Sequence, residues 1–437
     1  MPRAARLHRA APDLGVRPVL TTLPDDVALA AAQAQRSHWG RVLAATMRLA
    51  RDLDVAEEAT ADAFLLALQT WPDRGVPESV EAWLLTTARR RAIDRIRRAG
   101  ALRARLAELV ATGPTSAAAA DAALDAPAVD DDELRLVVLC CHPALETEAQ
   151  VALTLRLACG AATASVASAF LVKEATMAAR LTRAKRRVAA SGDLALPDDA
   201  SVDDRLPAVR RVVHLAYTAG HTAGSGTNLR DDELAARAVA LARLLFTFRP
   251  ADPENAGLLA LMLLTEARAG TRFDDAGAQV LLAEADRSRW DADLIAEGLQ
   301  LLATVDDTRP GPLALQAAIA AEHTTAPGPD TTDWPRIVHL YGELLTLEPS
   351  ATLALGRSVA IGHVAGPAAG LDDLDAVLDA GDLEGYPYAH AARARLLAEL
   401  GREPESRRAW IRAASVARTT AERDYFTAQA HATPETQ

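Results

Sequence analysis

Between Trp83 and Arg105 the chain carries eight arginines and a single acid, Asp94. Between Lys173 and Arg187 it carries six bases and a single acid, Glu174. Both runs stand against a whole-chain net charge of −12. Two basic helical stretches about ninety residues apart suit a protein that neutralises duplex phosphates at two places. Lys173 and Lys185 are the only lysines, so arginine as a residue type says little here and position carries the argument.

On a helical wheel the second run divides cleanly. Met177, Leu181, Ala184 and Val188 form an apolar stripe at i, i+4, i+7 and i+11. Thr176, Ala179, Thr182, Arg183 and Arg186 lie opposite, flanked by Lys173, Arg180, Lys185 and Arg187. Short and basic side chains on one face and a core stripe on the other are what a major-groove reading helix needs. In the first run, Leu85, Ala92, Ile93 and Ile96 form the apolar side. Trp83, Thr87, Arg90, Asp94 and Arg97 line the other, with Arg91 and Arg98 beside them. A tryptophan among arginines suits stacking on an unpaired base. Inward packing at the helix start is the preferred reading for Trp83 taken alone.

A third constellation is acidic. Asp54, Glu58 and Asp62 stand at i, i+4 and i+8, with Glu57 adjacent and Leu65 on the same face. Like charges at that spacing cost a helix a few tenths of a kcal/mol each, so about that much must be recovered elsewhere. A basic partner surface would recover it; a plain solvated face is the alternative. Other chemistry finds no support. Cys140-Cys141-His142 lacks a second cysteine pair at metal-binding spacing and reads as buried thiols at a helix end. No nucleophile motif and no glycine-rich phosphate loop is found, so no enzyme activity, metal or cofactor is expected.

Alanine-rich composition with only 4% aromatic residues favours an all-α fold. Residues 1–27 read as a loose arm. Helical pattern runs from Val27 to Arg51, and Asp52 or Asp54 is placed to cap a helix reaching Trp71. Pro72–Pro77 is loop chemistry, and a third helix covers Ser79–Arg98. Residues 100–130 read as linker. Glu133–Cys141, Leu145–Cys159, Thr163–Phe170 and Lys173–Ala190 follow, the last pair with helix-turn-helix spacing at Leu171-Val172. Residues 192–204 read as a second linker, and helices continue over 205–437. There Trp334–Leu347 and the segment to Val364, then Tyr388–Leu400 and Glu405–Val416, have the pattern of tetratricopeptide-type hairpins, clearest over 334–420. Residues 1–189 are net +3 and residues 190–437 net −15, so an acidic rear half is placed to cover basic helices in front of it. Three cysteines, no secretory apolar run and no membrane-length apolar run point to the cytoplasm without membrane association.

The order of these parts resembles a known family. Asp54-Val55-Ala56-Glu57-Glu58-Ala59-Thr60-Ala61-Asp62-Ala63-Phe64, a Trp-Pro loop, and the run from Ala82 to Arg98 are similar to region 2 of extracytoplasmic-function RNA polymerase sigma factors. Glu148–Arg156 and Phe170–Lys185 are similar to region 4, and Cys140–Leu145 with the helical tail resembles the subgroup with a tetratricopeptide-like extension. The resemblance implies two small helical domains at 28–99 and 131–191, the second a helix-turn-helix, followed by the extension. It implies a sigma factor that takes core RNA polymerase, through the β′ clamp helices and the β flap, to promoter DNA. Asp54, Glu57, Glu58, Asp62 and Leu65 match the clamp-binding surface. Trp83, Thr87, Arg90, Arg91, Asp94, Arg97 and Arg98 match the surface that opens the minus-ten element. Lys173, Thr176, Ala179, Arg180, Arg183 and Arg186 match the minus-thirty-five reader. Ala178-Ala179 stands where many relatives have Lys-Ser, which shifts reading toward phosphate contact and DNA shape. The tail is expected to regulate in cis and to offer a surface to a protein partner. A helix-turn-helix regulator with a helical sensor, or a helical scaffold, are the alternative readings.

Overall fold

The computed structural model describes residues 25–110, 129–192, 197–221, 230–274, 280–305 and 309–432. The arm expected at 1–27 lies almost wholly outside these residues, as does most of the linker expected at 100–130. Among the described residues the fold is all-helical. Three helices come first: α1 (Asp25–Ala50), α2 (Leu53–Arg74) and α3 (Val80–Val110). Asp52 starts α2, its Oδ1 accepting from the backbone N–H groups of Asp54 at 2.9 Å and Val55 at 3.0 Å, which satisfies two otherwise orphaned donors. The loop expected from Pro72 begins later, because Pro72 sits inside the last turn of α2 and Gly75, at φ 78°, ends it. The third helix also outruns its expected end at Arg98 and continues to Val110.

The second unit holds α4 (Val129–Cys140), α5 (Thr147–Leu157), α6 (Thr163–Ala169) and α7 (Glu174–Ala190). Leu171, between α6 and α7, takes a left-handed φ of 54° that reverses the chain and leaves its side chain exposed. The third unit runs α8 (Asp199–His221), α9 (Asp232–Phe248), α10 (Pro253–Glu266), α11 (Ala292–Leu302) and α12 (Pro312–Thr325). α8 begins inside the stretch read as linker. It is a packing element: Val202, Leu206, Val209, Val212 and Val213 are buried on one face. Helical hairpins complete the chain, through α13 (Trp334–Leu347), α14 (Ala351–Ala365), α15 (Pro367–Asp379), α16 (Pro387–Glu399), α17 (Glu403–Val416) and α18 (Thr420–Ala432). Aspartate caps at Asp231, Asp252, Asp291 and Asp333, and prolines in the first turns of α10, α12, α13, α15, α16 and α17, set the phase of this half.

One apolar core crosses the boundaries that the sequence suggests. Leu43, Met47 and Leu53 from α1 and α2 join Leu136, Leu139 and Leu155 from α4 and α5, and Val209, Leu241 and Leu258 from α8 to α10. A separate core under α1–α3 holds Trp39, Phe64, Trp71 and Leu84. The first helical domain therefore owns a core of its own and also leans on the next two units.

Candidate nucleic-acid and polymerase interface

The acidic helix keeps its charged stripe off the face that it buries. Ala56, Ala59, Ala63, Phe64 and Ala67 face inward, while Val55 and Leu66 are only half-buried. Asp54, Glu58 and Leu65 are exposed, Asp62 lies at the rim, and Glu57 is the most covered, with its side chain 14% exposed. The repulsion along the stripe is relieved inside the chain. Arg95 of α3 pairs with Glu58 and, at 2.7 Å, with Asp62, and these partners, the Asp62 hydrogen bond first, raise its pKa. Lys185 of α7 pairs with Asp54 and reaches Glu57 at 3.1 Å. Burial works to lower the Lys185 pKa, but the two carboxylates outweigh it, and the ammonium sits above the ordinary lysine value. Arg156 of α5 reaches the other oxygen of Glu57 at 2.6 Å.

A seam of polar contacts surrounds these pairs. Trp39 Nε1 donates to the Leu157 carbonyl at 3.0 Å, and the Arg156 guanidinium lies 5.7 Å from the Trp39 ring centre. Buried Glu133 of α4 accepts from Arg237 of α9 at 2.9 Å and pairs with Arg41 of α1 at 3.5 Å. Arg237 also donates to the Ala158 carbonyl at 2.8 Å. Two glycines permit this closeness. A Cβ on Gly40 would come within 2.6 Å of the Ala158 carbonyl and closer still to Glu133, and one on Gly160, which has φ 70°, would strike Trp39 at 2.8 Å. None of these long-range partners carries a sequence signal.

On α3, Arg90, Asp94, Arg97 and Arg98 are exposed, and Thr87 and Arg91 are half-exposed along the same side. Trp83 is half-buried and packs edge-on to Trp71, ring centres 5.6 Å apart, as the inward reading has it. On α7 the four residues of the apolar stripe are all buried. Lys173, Thr176, Ala179, Arg183 and Arg186 are exposed, and Arg180 is half-exposed with Glu148 at 3.4 Å. The face with Thr176, Ala179, Arg183 and Arg186 is open and the flank carrying Lys185 is tied to α2. The carboxylates paired to α7 thus come from α2 and α5 rather than from the acidic rear half, whose contribution is to cover α4 and α5 with α8 and α9. Cys140, Cys141 and Cys159 are buried free thiols, and burial pushes the last two up to about 12.

Helices α1 to α3 are thus an acidic and an arginine-rich surface on one small core. Residues 35–101 match the family model described as sigma-70 region 2. That match supports a sigma-70 family factor. Residues 205–305, covering most of α8 and all of α9 to α11, match a family of unknown function, DUF6596. A Rhizobium meliloti (strain 1021) protein, described as uncharacterized, is 40% identical over 408 residues, spanning 92% of this chain and 94% of its own length, so the two are members of one family. No solved structure matches. Sigma-70 region 2 implies binding to core RNA polymerase and promoter DNA. No helix among the described residues is long and apolar enough to cross a membrane.

Proposed function

We propose that this protein is a dissociable sigma factor of the extracytoplasmic-function type, held in cis in a closed form in which α7 is tied to α2 and the rear half packs behind α4 and α5. The observation that carries the reading is the region-2 surface. Asp54, Glu58 and Asp62 line one side of α2 at the spacing of a clamp-binding helix, and α3 presents Arg90, Arg97 and Arg98 beside them. In this reading α3 opens the minus-ten element, and α6–α7 is a helix-turn-helix that reads the minus-thirty-five element. The hairpins α13–α14 and α16–α17 form a tetratricopeptide-like extension.

Spacing argues that the closed form is not the working form. Two elements some 25 base pairs apart are separated by roughly 85 Å of duplex. A helix of 22 residues, the length of α2, spans only about 33 Å. With α7 tied to α2, both elements cannot be contacted together, and Glu57 is covered by Lys185 and Arg156. Core polymerase would compete for these acids and release α7.

Run-off transcription with purified core polymerase and the promoter of the protein's own gene tests the proposal. Specific transcripts are expected, and Asp54→Asn, Glu58→Asn and Asp62→Asn together should abolish core binding. Sequence-specific DNA binding without any affinity for core would replace the sigma reading with a helix-turn-helix regulator. Ending the chain at Asp193 is a poor test of the tail's sign, because it strips α8 and α9 from the shared core.

A further inference from the structure

A cleft of about 660 Å³ opens where α5 and α6 face α8 and the first turns of α16 and α18. Its volume lies within the range of small-molecule sites. Phe170, at the end of α6, and Leu215, on α8, form one apolar wall, and Tyr386 and Tyr388 form another. Two guanidinium groups, Arg272 and Arg418, border it.

The acids within reach are already committed. Glu422 and Thr419 form a reciprocal cap on α18: Glu422 accepts from the Thr419 N–H at 3.0 Å, and its own N–H donates to Thr419 Oγ1 at 3.1 Å. The Arg418 backbone N–H and the Tyr388 hydroxyl also donate to that carboxylate, at 3.0 and 2.7 Å. Glu148 turns to Arg180, and Glu266 is shared by Arg230 and the Tyr217 hydroxyl. Among the described residues neither the Arg272 nor the Arg418 guanidinium has a carboxylate in ion-pair contact, although Glu266 acts on Arg272 from farther off, and the Arg272 side chain donates to the His221 carbonyl at 2.7 Å. Behind Arg272, Arg268 also lacks one, and its buried Nε has no hydrogen-bond partner. Burial, opposed in part by Tyr217 and reinforced to a lesser degree by Arg272 and Arg287, holds Arg268 down to about 10. The Arg272 and Arg418 guanidinium groups thus border the cleft beside an aromatic shelf with no direct ion pair to its two lining acids, Glu148 and Glu422, and an anion from outside would complete them.

We propose that this cleft binds a small aromatic carboxylate, its ring between Tyr388 and Phe170 and its charge on Arg272 and Arg418. The walls come from the region-4-like unit and from the rear half, so the ligand binds the closed arrangement and strengthens it. That regulatory consequence rests on the sigma reading; the binding itself does not. By linkage, ligand and core polymerase each weaken the other's affinity by the same factor.

Naphthalene carboxylate titrated calorimetrically into the full chain is the probe, with its uncharged carboxamide beside it. One saturable site per chain is expected. Arg418→Gln and Arg272→Gln should each weaken binding about tenfold, as should the carboxamide, the loss of one charge-assisted hydrogen bond. Arg336→Gln, exposed on α13, should leave it unchanged. Arg418 is exposed, so its substitution reports even where Arg272→Gln disturbs folding. No saturable binding at millimolar probe, equal binding by the carboxamide, or indifference to both cleft substitutions would overturn the site. Binding that leaves core affinity unaltered overturns the coupling alone. A chain that binds the probe but never core polymerase loses the sigma reading and keeps the site.

Discussion

Lys185 is the residue on which the closed form turns most directly. It holds Asp54 and Glu57 from an element more than a hundred positions away. Replacing it with alanine removes a part-buried ion pair worth on the order of 1 kcal/mol, so core affinity should rise about fivefold if opening precedes binding. An unchanged or weaker dissociation constant for core would show that α7 does not guard α2. Gly40 makes a complementary case. Glycine to alanine in an exposed helix ordinarily gains about 1 kcal/mol. Here the new methyl would press on the Ala158 carbonyl, which is backbone and cannot swing aside. Overpacking of that kind costs about 1–3 kcal/mol, so the sign reverses and Gly40→Ala should lower the urea midpoint. At this scale the sequence was legible where the signal is periodic or local. The stripe Met177, Leu181, Ala184 and Val188 is buried as its spacing requires, and Asp52 caps α2. The pairing of Lys185 with α2 was not legible, because tertiary packing sets it and no local pattern records it.

Among the elements, α7 has the clearest division of labour. Its exposed face carries Arg183 and Arg186, whose side chains have no carboxylate partner among the described residues, so in the sigma reading they would meet phosphates without first breaking an ion pair. Arg183→Ala and Arg186→Ala should each weaken promoter binding about fivefold and flatten its salt dependence by about one counterion. A helical scaffold would show no change in filter binding across the salt series. Helix boundaries were largely legible from turn residues: α13 spans Trp334–Leu347 as expected, and α17 ends at Val416 as expected. The departures fall where composition stood in for pattern. Residues 100–110 fell in a stretch that reads as linker for its Ala, Pro, Gly and Asp, yet its first part is mostly alanine, leucine and arginine, good helix formers, and α3 runs through it. The start of α8 looked acidic and proline-containing, but Val202, Leu206 and Val209 repeat at helical spacing and pack on α4 and α5.

For the molecule as a whole, the sequence shows parts in order and the structure shows them sharing one core and a polar seam. The rear half contributes pH dependence to that assembly. Burial, then Arg272, hold His221 down to about 3, and burial, then Arg268, hold His323 down to about 4. Both are depressed below the ordinary histidine value. Their contribution is therefore complete above about pH 6.5 and lost as pH falls toward the folded values, since the unfolded chain takes up protons first. Each should cost about 2 kcal/mol of stability by about pH 5. The double variant His221→Gln, His323→Gln should show a flatter urea-midpoint profile between pH 6.5 and 5; parallel profiles would remove these groups as the cause.

Opening is also a property of the whole molecule, because the seam includes α1, α2, α4, α5, α7 and α9 together. A short bis-maleimide joining Asp54→Cys to Lys185→Cys would hold α7 on α2. The three native thiols are buried and held protonated, so they should not compete for the reagent. Cross-linking one position to nothing, with either single variant, controls for the substitutions themselves. If both promoter elements must be spanned at once, the cross-linked chain should lose run-off transcription at least about tenfold while α3 and α7 keep non-specific DNA affinity. Full transcription from the cross-linked chain would mean that α7 works while docked, and that the promoter, rather than the protein, bends to bring its two elements together.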